Sequence, residues 1–145
     1  MKKPFLKLFF ASFVLLFTFS CKKNGSSKSR TELLTQKAWI QSNQEIGIGG
    51  NWEVDPEFAS LEACEKDDQI IFKTSKSIEV NEGTLKCEEA TQVGTVGMWN
   101  LTDNDTKLTL NEETGSITQL DENVLIITGM ADESTNANYR ITFKH

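Results

Sequence analysis

From Gln69 onward the chain takes on the period of β-strands, in short apolar segments broken by clusters of Gly, Asn, Asp and Ser. Such segments pack as strands, and those punctuating residues are turn formers. Gln69 to Thr74 holds Ile70, Ile71 and Phe72, and Ile78 to Val80 leads into the turn signal Asn81-Glu82-Gly83. Thr84 to Cys87 reads as extended again, followed by Val93 to Leu101, the pairs Leu108/Leu110 and Ile117/Leu120, Val124 to Met130, and Tyr139 to Phe143. Upstream, Thr31 to Gln36 suits a brief helix capped by Thr31, and Lys37 to Asn43 suits an opening strand. Gly47, Gly49 and Gly50 predict a loosened loop carrying Trp52. After Pro56, the spacing of Phe58 and Leu61 predicts a short helix or lid within Asp55 to Glu65, with both side chains facing inward. Seven to nine short strands without crossover helices make an all-β antiparallel meander. Such a meander buries its apolar face as a sandwich or as a barrel. Closure of about eight strands removes open edges and encloses either packed side chains or one small ligand.

The N-terminus is of a different kind. Lys2, Lys3 and Lys7 precede an apolar run from Leu8 to Phe19, and Ser20 and Cys21 stand before a polar stretch. A basic start, a short apolar core and a small residue at the boundary make a secretory signal. As a helix the run reaches about 18 Å against the roughly 30 Å of a bilayer's hydrocarbon layer, too short for a permanent span. The end Phe17-Thr18-Phe19-Ser20-Cys21 resembles a bacterial lipoprotein signal of the relaxed kind found in the Bacteroidetes group. That resemblance implies cleavage before Cys21 and attachment of membrane lipid to its sulfur and new amino group. Asn24 to Ser29 then serves as a polar tether, with Lys22, Lys23, Lys28 and Arg30 beside the lipid.

Loss of the three leading lysines moves the formal charge from −6 to −9. A chain that acidic has no footprint for phosphate backbones, so nucleic acid is excluded as a partner. With Cys21 given to lipid, Cys64 and Cys87 remain in an oxidising compartment, where pairing is the default. A bridge closing 24 residues contributes about 3 kcal/mol on loop-entropy grounds. Redox thiols more often sit two residues apart, and a zinc site would want histidines.

Catalytic constellations are not evident. His145 is the sole histidine and the last residue given, a poor position for a general base, and reads as a frayed tail. Glu62, Glu65, Asp67 and Asp68 form the densest acidic cluster and read as a solvated loop beside the disulfide. Asp103-Asn104-Asp105 lacks calcium-loop spacing and reads as a hairpin turn. No cofactor or metal is expected.

Lys37-Ala38-Trp39-Ile40, the run Cys64 to Phe72, Gly83 with Cys87, Gly97 to Leu101, Leu108-Thr109-Leu110 and Tyr139 to Phe143 together resemble the lipocalin-like lipoproteins of Bacteroidetes. The resemblance implies a calyx-like antiparallel barrel of about eight strands with a Cys64–Cys87 bridge and an outer-membrane lipid anchor, expected to face the periplasm. The implied organisation is a signal peptide over residues 1–20, a lipidated tether over 21–30 and a lipocalin-like β-barrel over 31–145. Two functions follow for a non-enzymatic envelope protein. In one, a small hydrophobic ligand sits in the cup, against Trp39, Phe72, Trp99, Ile126 and Phe143, with Trp52, Phe58 and Leu61 near its mouth. In the other, the barrel is a solid scaffold whose loops, around Trp52 and Asp67, contact an envelope protein partner.

Overall fold

The computed structural model describes residues 27–88, 93–132 and 134–145. The lipidation site expected at Cys21 and the signal expected over residues 1–20 lie outside the described residues. Helix α1 (Arg30–Thr35) begins earlier than expected. Its cap is Ser29, not Thr31: the Ser29 hydroxyl accepts from the Glu32 amide at 3.2 Å, and the Glu32 carboxylate accepts from the Ser29 amide at 2.7 Å. This reciprocal box satisfies two backbone donors at once. Lys28 pairs with Glu122 at 2.9 Å. The end of the expected tether is therefore docked on the folded unit.

Nine strands follow: β1 (Trp39–Ile48), β2 (Asn51–Val54), β3 (Gln69–Phe72), β4 (Ser77–Asn81), β5 (Gly94–Thr102), β6 (Lys107–Leu110), β7 (Glu113–Leu120), β8 (Val124–Asp132) and β9 (Ala137–Lys144). Two short helices, α2 (Pro56–Ser60) and α3 (Ala63–Lys66), join β2 to β3. From β3 to β9 each strand pairs antiparallel with the next, and β9 returns to β1 from Ile40↔Lys144 to Gly47↔Asn138. The ring so closed has eight strands, with β2 attached outside it to β1. Closure settles the choice between barrel and sandwich, and leaves the four-residue β2 as the outlying edge.

Strand β1 changes neighbours along its length. It pairs with β3 only at Trp39 and Ile40, and with β2 from Glu45 to Ile48. Between them the Asp55 amide donates to the Gln44 carbonyl at 2.9 Å, and α3 packs against β1. The β1–β2 turn is Gly49-Gly50, with φ of +60° and +89°. Two residues at positive φ are what a type I′ hairpin turn requires, and glycine reaches that region at little steric cost. The expected loose loop is thus a tight hairpin, and Trp52 lies on a strand.

Pairing fixes which side chains face inward. Trp39, Phe72, Ile78, Trp99, Leu108, Ile117, Leu125, Ile127 and Phe143 are buried together with Leu34 of α1. Strand ends and turns place Trp39, Phe72, Leu125 and Phe143 toward the base, where α1 lies. The Trp39 indole Nε1 donates to the Leu34 carbonyl at 2.9 Å, so Leu34 closes that end. Phe58 and Leu61, expected to close a barrel end, sit in and beside α2. Phe58 is buried near Lys66, outside the main core, and Leu61 is half-buried. His145 is held more firmly than a frayed tail: its Nδ1 lies 2.7 Å from the Ala38 carbonyl oxygen and its ring 3.8 Å from that of Trp39.

Thr84 to Cys87, expected as a strand, makes bends instead. The segment is fixed by the Cys64–Cys87 disulfide, Cα atoms 5.4 Å apart. It is also clamped by Asp67, whose carboxylate accepts from the amides of Thr84 at 2.7 Å and Leu85 at 2.9 Å. Asp67 is therefore a structural acceptor, where the acidic cluster alone suggested a solvated loop.

On the outer wall, Arg140 donates two hydrogen bonds to the Glu45 carboxylate, at 2.6 Å and 2.8 Å, and its guanidinium lies 4.4 Å over the Trp52 ring. The Arg140 hydrogen bonds, ahead of simple charge attraction, hold the Glu45 carboxyl below the usual carboxylate range. A carboxyl depressed on folding adds stability above its unfolded pKa of about 4.3, and that stability fades as pH falls through the lower folded value. Glu45→Gln is expected to cost at most about 1 kcal/mol at pH 7, the range of a partly exposed pair. The difference from wild type should shrink below about pH 4, as read by urea denaturation at a series of pH values.

Candidate functional site

The barrel interior is not filled to both ends. A cavity of about 520 Å³ occupies the end away from α1, where the β6–β7 and β8–β9 connections lie. Its apolar wall comes from Ile46, Leu108, Leu110, Ile127, Ala131 and Ile141, with Gly115 contributing no side chain. The register explains their convergence. Ile127 sits opposite Ile141 across β8–β9, Leu108 opposite Gly115 across β6–β7, and Ile46 opposite Tyr139 across β1–β9.

The polar lining is Gln44, Asp55, Glu57, Glu113 and Tyr139. Asp55 is buried at 5 % exposure and caps α2. Its carboxylate accepts from the Glu57 amide at 2.8 Å and from the Gln44 side-chain amide. The N-cap and first turn of α2 thus deliver two carboxylates, Asp55 and Glu57, to the cavity. Glu113 comes from the first position of β7.

Tyr139 is half-buried, and its ring lies against Gly129, its cross-strand partner. A Cβ at position 129 would approach the ring to 2.4 Å. That glycine is the notch in which the phenol rests on the cavity wall. Burial first, and the negative charge of Glu113 second, push the Tyr139 phenol above its ordinary pKa. The phenol therefore keeps its proton and presents a hydrogen-bond donor at neutral pH.

None of the eight residues named from sequence as ligand contacts lines this cavity. Trp39, Phe72, Trp99 and Phe143 are packed solid, each at most 3 % exposed. Ile126 falls on the outward face of β8, because Leu125 and Ile127 take the inward positions opposite Phe143 and Ile141. Trp52 lies on the outer wall over Gly47, and Phe58 and Leu61 belong to the α2 region. The large aromatics fill the base, and the cavity opens where smaller and polar side chains leave room.

Among the described residues no group of three or more His, Cys, Asp and Glu side chains is placed to hold a metal ion. Tyr139, Glu113 and Asp55 escaped the sequence reading, since each stands alone among ordinary strand or turn residues. The alternation Tyr139-Ile141-Phe143 was the available signal, for it puts Tyr139 on the same inward face as two core positions. The chain matches no family model, and no curated protein matches it.

Proposed function

We propose that this protein is a non-enzymatic, lipid-anchored envelope protein of lipocalin-like type that reversibly holds a small apolar ligand in its barrel. One observation carries the reading: a closed eight-stranded barrel packed solid at one end holds a cavity of about 520 Å³ at the other. That size lies within the range of ligand sites, and its mix of an aliphatic wall with few polar groups is what such sites use for affinity and orientation. The driving force is removal of the ligand's apolar surface from water, about 25 cal/mol per Å² before the costs of association. Anchorage through Cys21 would keep the cup at an outer membrane, facing the periplasm, where apolar molecules are at hand.

Native mass spectrometry of the full chain, after exposure to envelope lipid extract, is expected to show a retained species at one per protein. Leu110→Trp should abolish that species while leaving the circular dichroism of the barrel unchanged, because the indole would occupy the cavity. Absence of any retained species in the wild type would overturn the reading.

The scaffold alternative draws on the outer wall. Trp52 and exposed Met130 lie in one cross-strand row through Gly47 and Asn138, and exposed Val54 lies in the next row. Loss of a membrane partner in Trp52→Ala, with the fold intact, would favour this second reading.

A further inference from the structure

The charged groups of the cavity are all of one sign, and Gln44 and Tyr139 are its neutral polar groups. Asp55, Glu57 and Glu113 bring three carboxylates to its lining, and none of the described residues that line it is Lys, Arg or His. Arg140, between the lining residues Tyr139 and Ile141 on β9, points outward and is committed to Glu45 and Trp52. Gln44 donates to Asp55, so its amide does not neutralise the charge it touches. An anionic head entering this space would lose water and meet like charge, with no counter-ion to offset either cost. A cationic head would meet three carboxylates, of which Asp55 is buried in surroundings less polar than water, where attraction between opposite charges is strengthened.

We infer that the ligand of this cavity is an apolar molecule with a cationic head, its apolar part against Leu108, Ile127 and Ile141 and its charge beside Asp55, Glu57 and Glu113. This rests on the cavity being a ligand site, as proposed above, and adds the chemistry of what it takes. Fatty carboxylates, equally apolar in the tail, are then poor occupants.

Three probes with one six-carbon tail separate the possibilities: hexyltrimethylammonium, 1-hexanol and hexanoate, titrated calorimetrically into the full chain. The ammonium, which has no N–H and acts through its charge alone, is expected to bind about tenfold more tightly than the alcohol, the scale of a partly screened attraction between opposite charges, with hexanoate weakest. The preference should narrow as salt is raised, because screening acts on the charge and not on the tail. Glu113→Gln, a change at an exposed side chain, should lower the ammonium-to-hexanol ratio several-fold, and adding Glu57→Gln should lower it further. Hexanoate binding as tightly as the ammonium, or a ratio unmoved in the double variant, would overturn the head-group assignment. Hexanol binding with no head preference sinks only this inference, whereas failure of all three probes sinks the ligand-site reading beneath it.

Discussion

Replacing Trp99 with alanine is expected to destabilise the domain by about 3–5 kcal/mol, the cost of removing a fully packed indole from a core. Trp99 is 2 % exposed and meets Phe72 edge to face, ring centroids 5.8 Å apart. Its Nε1 donates to the Lys73 carbonyl at 2.9 Å, its backbone amide donates to the Lys76 carbonyl at 2.8 Å, and the Lys76 ammonium lies 3.7 Å from the ring. One side chain therefore fills the base of the barrel and ties the β3–β4 turn to β5. Trp99→Phe keeps most of the apolar volume but leaves the Lys73 carbonyl without its indole donor, so about 1–2 kcal/mol is expected for it. Guanidinium denaturation of the two variants gives both numbers. A loss under about 1 kcal/mol for the alanine variant would mean that the packing around Trp99 is not what holds the base.

The second large effect is expected at the disulfide. Cys64→Ala with Cys87→Ala should lower stability by about 3 kcal/mol, through greater freedom of the unfolded chain. The bridged segment contains all of β3 and β4, so the loss should appear as a shift of the whole unfolding transition. Asp67 gives this prediction a control. Its carboxylate accepts from the amides of Thr84 and Leu85, bonds that do not involve the sulfurs. Asp67→Asn in the bridged protein should therefore cost less than removing the bridge, and more in the cysteine-free variant than in the wild type. Additive losses would show that clamp and bridge act independently.

Much of the architecture was legible from residue order alone, for definite reasons. Alternation marked β9 from Tyr139 to Phe143, and the Asp103-Asn104-Asp105 cluster marked the β5–β6 turn. Those three residues take φ of 56°, 54° and 63°, a region Asn and Asp tolerate better than most residues. What failed was the choice of face. Val124 to Ile127 is apolar throughout, so its period cannot tell Ile126 from its neighbours; cross-strand pairing to Phe143 and Ile141 decides. Trp52 failed because glycines suggest slack, whereas Gly49-Gly50 as an adjacent pair is a hairpin signal. The cavity's lining differs from the expected contacts for a physical reason. Aromatic side chains were expected to line it, but bulk that packs well eliminates empty space, and the opening was left to isoleucines, leucines and a few polar groups.

The return of β9 to β1 has a consequence for the nascent chain. Every other pairing in the ring joins strands that are successive around it in chain order, and can form as soon as both have left the ribosome. Sealing brings together Ile40 and Lys144, partners at opposite ends of the folded unit, and that contact has the largest loop-closure cost of the strand pairings. Until residues 137–144 emerge, β1 and β8 both offer unpaired backbone to any passing strand. The strand of the ring that is made last is thus also its clasp.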